Sequence, residues 1–231
     1  MSNILLKLEN INKYFIQDGN KIDVLHQINL QIKASELVSI TGPSGSGKTT
    51  LLQIAGLLDS AQIGKVIIDD VEIVMKNGQF TNLQQKEIDQ IHRKQIGFIY
   101  QEHHLLPEFS VIENVAMPLL IGGDNYNNAM LKAKEIITKI GLEAYLNYQP
   151  NKLSGGQQQR ISIARALVHQ PKIILADEPT GNLDSQNAEN IFILLQNLVK
   201  ENNIACLMVT HNQDLAKRTD RQIKISDGRI L

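Results

Sequence analysis

The chain has 231 residues, of which 42% are hydrophobic and 20% charged, a balance that predicts a globular core and excludes a disordered chain. Its net charge of -1 at pH 7 provides no overall attraction to nucleic acid, so we expect no nucleic-acid partner. No apolar run reaches the roughly 18–20 residues of a membrane span, and the first residues lack the pattern of a signal peptide. We therefore expect a cytoplasmic protein whose contact with any membrane is made by a partner.

Apolar runs separated by glycine, proline and polar breaks predict strands that alternate with helices. In chain order the predicted elements are a strand at Leu37–Ile40, a helix at Lys48–Leu58, strands at Lys65–Asp69 and Gln95–Tyr100, helices at Asn125–Ile140 and Ser154–His169, a strand at Lys172–Ala176, a helix at Gln186–Lys200 and a strand at Ile204–Val209. This alternation favours a single α/β domain with a mixed, largely parallel sheet. We expect a core from about residues 1–101 and 169–231, and a helical subdomain from about residues 102–168.

A glycine-rich turn after the first predicted strand fits G-x-x-x-x-G-K-[ST] in full. The residues expected to bind a nucleotide are Gly42, Ser44, Gly45, Gly47, Lys48, Thr49 and Thr50. Glycines allow backbone N–H groups to point at one phosphate chain, and the helix that follows presents its positive end to the same anion. Lys48 can reach the terminal phosphates and the Thr49 hydroxyl can hold Mg²⁺. The turn predicts a nucleotide–magnesium site.

Two carboxylates follow the apolar strand that ends at Ala176. An Asp at the tip of a buried strand beside a phosphate-binding loop can position Mg²⁺, which makes Asp177 a candidate metal residue. Glu178 can polarise an attacking water as a general base. Alone, such a pair is more often a solvated loop, but together with the glycine-rich turn it predicts hydrolysis of a nucleotide triphosphate.

A second candidate anion site is the string Leu153–Gln157, which reads LSGGQ. Ser154 is a good helix N-cap, and the two glycines allow backbone N–H groups to approach a phosphate closely. With this string in order after the other motifs, the whole chain resembles the ABC ATPases. The resemblance implies a P-loop NTPase fold and a head-to-tail homodimer, in which Ser154 and Gly156 contact the ATP of the partner chain.

The same resemblance implies roles for further residues. Gln101 matches the position that contacts Mg²⁺ and water, Asp184 the one that crosses the dimer interface, and His211 the one that touches the γ-phosphate. Phe15 takes the position that stacks on adenine, where the family usually has Tyr. Tyr14 is the alternative for stacking, and either aromatic side chain can instead be part of the core.

Three stretches point to one branch of the family: Ile96–Gln101, His103–Pro107 and Glu113–Gly122. They resemble the ATPases of the lipoprotein-releasing systems of Gram-negative bacteria. That resemblance implies a peripheral protein on the cytoplasmic face of the inner membrane, bound to integral permease subunits, two in number. The alternatives are the ATPase of a macrolide or peptide exporter or mechanotransmission pump, and a cell-division ATPase that signals without transport.

Overall fold

The structure, a computed structural model, describes residues 3–231. Its strands are β1 (Ile4–Gln17), β2 (Asn20–Lys33), β3 (Leu37–Thr41), β4 (Ile63–Ile68), β5 (Val71–Lys76), β6 (Gln79–Phe80), β7 (Ile96–Ile99), β8 (Ile173–Asp177), β9 (Ala205–Val209), β10 (Arg221–Ser226) and β11 (Arg229–Ile230). Its α-helices are α1 (Lys48–Ala55), α2 (Gln85–Gln95), α3 (Val111–Ile121), α4 (Tyr126–Lys139), α5 (Gly155–Leu167), α6 (Ser185–Glu201) and α7 (Gln213–Ala216). None of the helices within residues 3–231 is both long enough and apolar enough to cross a membrane.

The strands form two sheets. The first is antiparallel, in the order β2-β1-β4-β5-β6. The second has the order β11-β10-β3-β9-β8-β7, and all its pairs are parallel except the one between β10 and β11. The central strands β3 and β9 are buried along their whole length, as expected for parallel strands covered on both faces.

Three apolar clusters hold these layers together. The first lies between the two sheets and includes the buried face of α1. The second lies between the parallel sheet and the helices α5 and α6, with Phe192 almost fully buried within it. The third joins α3, α4 and α5. Helix α5 contributes Ile163 to the second cluster and Ile161 to the third, and it therefore packs on both the parallel sheet and the helical region.

All nine predicted elements are present, each with bounds within three residues of the prediction, and the α/β fold is confirmed. The largest difference is in α1, which ends at Ala55 instead of Leu58. Gly56 caps this helix and packs so closely against the sheet that an added Cβ would lie 2.2 Å from the Phe98 ring. The antiparallel sheet was not predicted. The division at residues 101 and 168 stays a prediction, since α5 joins both parts.

Candidate active site

The glycine-rich turn connects β3 to α1 and runs against β10. Gly42 has φ +156°, and a Cβ at this position would lie 2.0 Å from the carbonyl oxygen of Ile225. Gly47 caps α1 in the left-handed region with φ +94°, and a Cβ there would meet the backbone of Val24 at 2.9 Å. Both glycines are therefore required by close backbone approach as well as by conformation.

The N–H groups of this turn are largely unused. Helix α1 begins without a side-chain cap. Within residues 3–231, no protein acceptor takes a hydrogen bond from the backbone N–H groups of Gly45, Gly47, Lys48 or Thr49. A row of free donors at a helix N-terminus is an anion-binding site. The turn thus has the donor set and the polarity that a phosphate chain needs.

The Lys48 ammonium lies within the same turn. Its Nζ donates to the carbonyl oxygens of Gly42, at 3.0 Å, and Pro43, at 2.8 Å. These neutral acceptors do not neutralise its charge, which stays available to an anion bound on the adjacent N–H groups.

Asp177, the last residue of β8, lies opposite the start of α1. Burial raises the pKa of the Asp177 carboxyl, while the nearby Thr49 hydroxyl and Lys48 ammonium act in the opposite direction. The Asp177 carboxylate and the Thr49 hydroxyl supply oxygen ligands of the kind that Mg²⁺ prefers. A divalent cation here would also favour the charged form of Asp177 that burial disfavours. The two residues therefore fit a magnesium ion.

Glu178 is held between the ends of two parallel strands. Its backbone has φ +45°, unusual for a residue other than glycine, and its N–H donates to the carbonyl oxygen of Val209 at 2.9 Å. Its carboxylate Oε2 pairs with Nδ1 of His211, which follows β9. The Glu178 side chain is 22% exposed and the His211 side chain 66%. The carboxylate is thus fixed in direction but open to water.

Gln101 follows β7 and joins this group from the other side. Its Nε2 donates to Oδ1 of Asn182 at 2.9 Å. An added Cβ on Gly181 would lie 3.1 Å from the Gln101 Nε2 and 3.3 Å from the Glu178 Oε2. The side chains of Gln101 and Glu178 therefore both lie next to Gly181. Asn182 was not predicted as a site residue, because nothing in the sequence pairs it with a position 81 residues away.

The signature string forms the N-terminus of α5. Ser154 caps the helix: its Oγ accepts from the N–H of Gln157 at 3.3 Å, and the Gln157 Oε1 accepts from the N–H of Ser154 at 2.9 Å. A Cβ on Gly156 would lie 2.7 Å from Oδ1 of Asn187. Within residues 3–231, no hydrogen bond links this string to the glycine-rich turn. The two predicted anion sites thus share no hydrogen bond among the described residues of one chain.

Asp184 caps the neighbouring helix α6. Its Oδ1 accepts from the N–H of Asn187 at 2.9 Å and its Oδ2 from the Asn187 side chain at 2.6 Å. Hydrogen bonds from Asn187 lower the pKa of the Asp184 carboxyl. The same Asn187 packs against Gly156, so Asp184 and the signature string share one neighbour.

The two aromatic candidates lie on β1. Phe15 is 43% exposed, which rules out the core alternative for this side chain. The Lys13 ammonium lies 4.7 Å from the Phe15 ring centroid, and the Lys21 ammonium lies 4.7 Å from that of Tyr14. One face of each ring is thus covered by a cation. Stacking of Phe15 on adenine, with Tyr14 as the alternative, stays a prediction.

Residues 25–181 match the ABC transporter family. The lipoprotein-releasing system ATP-binding protein LolD of Rickettsia bellii (strain RML369-C) is 47% identical over 230 residues, which cover 100% of this chain and 99% of that protein. The protein of the same name from Paramagnetospirillum magneticum (strain ATCC 700264 / AMB-1) is 45% identical over 231 residues, with 100% and 99% covered.

Two solved structures share the fold. The dimeric structure of MJ0796, described as a bacterial ABC transporter cassette, superposes with a TM-score of 0.84 at 41% identity, over 98% of this chain and 96% of that one. The dimeric post-hydrolysis state of MJ0796 bound to ADP and Pi gives a TM-score of 0.85 at 40% identity and the same coverage. With its glycine-rich turn, acidic strand end and signature helix in one fold, this chain belongs to the ABC transporter family as an ATP-binding, ATP-hydrolysing domain.

Proposed function

We propose that this chain hydrolyses ATP in a head-to-tail homodimer and thereby drives the release of lipoproteins from the bacterial inner membrane. Two features of the site support ATP hydrolysis. The turn before α1 has N–H donors without a protein acceptor among the described residues, and the Glu178 carboxylate pairs with His211. The assignment of the cargo is supported by similarity at 44–47% identity, over 95–100% of this chain, to proteins named for lipoprotein release.

Phosphate binding is the first task of the site. The four free N–H groups of the turn, those of Gly45, Gly47, Lys48 and Thr49, hold the phosphate oxygens. Lys48 turns from its two carbonyl acceptors to the β- and γ-phosphates. Thr49, Asp177 and Gln101 are the residues that would hold Mg²⁺. When bound, the ion supplies positive charge that offsets the charge of the phosphates.

Hydrolysis is assigned to Glu178. Its carboxylate orients a water toward the γ-phosphorus and accepts the proton of that water as the new P–O bond forms and the bond to the β-phosphate oxygen breaks. His211, already paired with this carboxylate, directs it and lies where it can donate to the γ-phosphate. Ser44 and Thr50 line the same turn and contact the phosphates from either end.

Dimer formation completes the site. The signature string makes no hydrogen bond to the glycine-rich turn among the described residues of one chain, and we assign its N–H groups to a nucleotide held by another copy. We assign Ser154 and Gly156 to the partner's γ-phosphate, Asp184 to the interface between the chains, and Phe15 to the adenine ring. The dimeric structures of MJ0796, at about 40% identity, support a dimer of this chain.

A Glu178→Gln substitution tests the ATPase assignment. The amide keeps the size of the side chain but cannot accept the proton, so we expect ATP turnover to fall about 10²–10⁴-fold while ATP binding persists. Turnover is measured by phosphate release and binding by equilibrium dialysis. Glu135→Gln, an exposed change in α4, is the control. Normal turnover in the Glu178→Gln protein would remove Glu178 as the base.

The cargo requires a test in membranes. We expect a tagged Glu178→Gln protein, trapped with ATP, to recover two integral permease subunits that carry large periplasmic domains, and to lie on the cytoplasmic face of the inner membrane. Reconstituted in proteoliposomes, the native complex should then transfer a lipoprotein to a soluble acceptor only when ATP is present. Recovery of a division protein bound to wall hydrolases would instead replace transport with signalling. Release of a macrolide or peptide would indicate an exporter.

A further inference from the structure

Residues 101–105, which we call the strap, cross from the end of β7 to the side of α5. At its first residue, Gln101 bonds to Asn182 beside Glu178. Two residues later, His103 reaches α5, where its Nε2 lies 2.8 Å from the carbonyl oxygen of Gly155. A carbonyl only accepts, so the Nε2 of His103 carries the proton and donates it. The strap thus has one end at the chain's own hydrolytic site and another at the first residue of α5.

The main chain of the strap is fixed by a second residue of α5. Arg165 donates from Nη1 to the carbonyl oxygen of His104 at 2.6 Å and from Nη2 to that of His103 at 2.7 Å. His104 lies in the left-handed region with φ +48°, and its ring meets the edge of Tyr100 at a centroid distance of 5.0 Å. Two short, charge-assisted bonds and this turn hold the strap against the later part of the helix.

The His103 bond acts at a different place on the helix. Gly155 lies between Ser154 and Gly156, the residues assigned to the partner's phosphate. Arg165 is ten residues further on, about 15 Å along an α-helix. Arg165 therefore anchors the strap, whereas His103 is the side chain that connects the strap to the turn that faces the other chain.

We propose that His103 is a positioning residue that couples Gln101 to the signature turn. When Gln101 engages the nucleotide, the strap moves with it, and the hydrogen bond from His103 orients the first turn of α5 toward the partner's γ-phosphate. Its loss weakens the ATP-driven closure of the dimer and leaves ATP binding to a single chain unchanged. The inference rests on the proposed head-to-tail ATPase.

Other contacts than the His103–Gly155 hydrogen bond hold α5 in the fold. Gln159, 1% exposed, already joins α5 to the core by donating to the carbonyl oxygen of Pro179 at 2.7 Å, and Arg165 holds the strap. His103 is only partly buried. Replacing His103 removes its hydrogen bond to Gly155, while the hydrogen bonds of Gln159 and Arg165 that hold α5 remain.

The experiment uses the full chain in the Glu178→Gln background, in which ATP traps the dimer. Dimer formation is measured by sedimentation against chain concentration at saturating ATP, and single-chain affinity by a fluorescent ATP analogue at low protein concentration. The added changes are His103→Ala, which removes the donor, His103→Gln, whose amide can donate from a similar distance, and His104→Asn. The last is the matched control, because Asn tolerates the left-handed backbone and keeps the main-chain carbonyl that makes the hydrogen bond of His104 among residues 3–231.

Each closed dimer contains two copies of this contact. We therefore expect His103→Ala to weaken the ATP-bound dimer roughly 5- to 150-fold, with unchanged single-chain affinity. His103→Gln should restore most of the loss, and His104→Asn should behave as the parent.

Equal dimerisation of His103→Ala and its parent overturns the inference. A loss of dimer formation that His103→Gln does not restore also overturns it. So does a loss accompanied by an equal fall in single-chain ATP affinity, because either result indicates a general disturbance of the fold. A Glu178→Gln parent that does not dimerise with ATP contradicts the proposed function itself, and is thereby distinguished from a failure of the inference alone.

Discussion

The two helix N-termini assigned to phosphate, those of α1 and α5, are built in opposite ways. Helix α1 begins at a glycine in the left-handed region, without a side-chain cap, and its first N–H groups have no protein acceptor among the described residues. Helix α5 begins with a reciprocal cap, in which Ser154 and Gln157 satisfy each other. The α1 terminus therefore offers a row of open N–H donors, whereas at the α5 terminus the cap occupies the N–H of Gln157 and, among the described residues, leaves those of Gly155 and Gly156 without an acceptor.

The difference extends to their surroundings. Gly42 and Gly47, which precede α1, are required by nearby backbone atoms that cannot move aside. Gly156 faces the end of the Asn187 side chain, and the first turn of α5 is reached by His103. The α1 site is therefore a rigid part of the fold, and the α5 site is held by side chains that can rearrange. Three substitutions test this contrast.

The largest expected effect is that of Gly42→Ala. Its Cβ would lie 2.0 Å from the Ile225 carbonyl oxygen, so we expect the free energy of unfolding to fall by about 3 kcal/mol or more. Gly45→Ala is the control. It has φ +76° but nothing within 4 Å of the new Cβ, and should cost about 1–2 kcal/mol. Urea denaturation measures both, and equal costs would show that this turn is not rigidly packed.

Lys48→Ala should have the next largest effect. Removing the ammonium deletes a charge-assisted contact with the phosphates, so we expect ATP affinity of a single chain to fall about 10- to 100-fold. The matched control is Lys134→Ala, an exposed lysine of α4. An unchanged ATP affinity of the Lys48→Ala protein would show that the N-terminus of α1 does not bind the nucleotide.

Ser154→Ala should have the smallest effect on stability. Loss of this cap should lower the free energy of unfolding by about 1 kcal/mol. Ser110→Ala removes the same kind of reciprocal cap from α3, where Ser110 pairs with Glu113, and should cost about as much. Only Ser154→Ala should also reduce ATP turnover, measured by phosphate release, while single-chain ATP affinity stays unchanged. Equal turnover in the two variants would contradict the role assigned to α5.

Elements whose signals are local were predicted well. The strand, glycine-rich turn and helix around Lys48 follow from residues adjacent in the chain, and so does the capped start of α5. Helix α3 was not predicted, because Pro118 lies inside it and proline opposes a helix interior. The antiparallel sheet was missed because its longest pair, β1 with β2, has four register shifts, which interrupt the alternation that identifies a strand.

Local residue patterns were enough to identify the class of chemistry, because phosphate binding depends on backbone conformation and on where helices begin, which are local properties. The way in which the parts of the site are joined is visible only in the folded chain. The pairing of Glu178 with His211, of Gln101 with Asn182 and of His103 with Gly155 joins residues that are 33 to 81 positions apart. Such contacts depend on which strand ends and helix starts are neighbours in space, and sheet order sets that arrangement, not the spacing of residues along the chain.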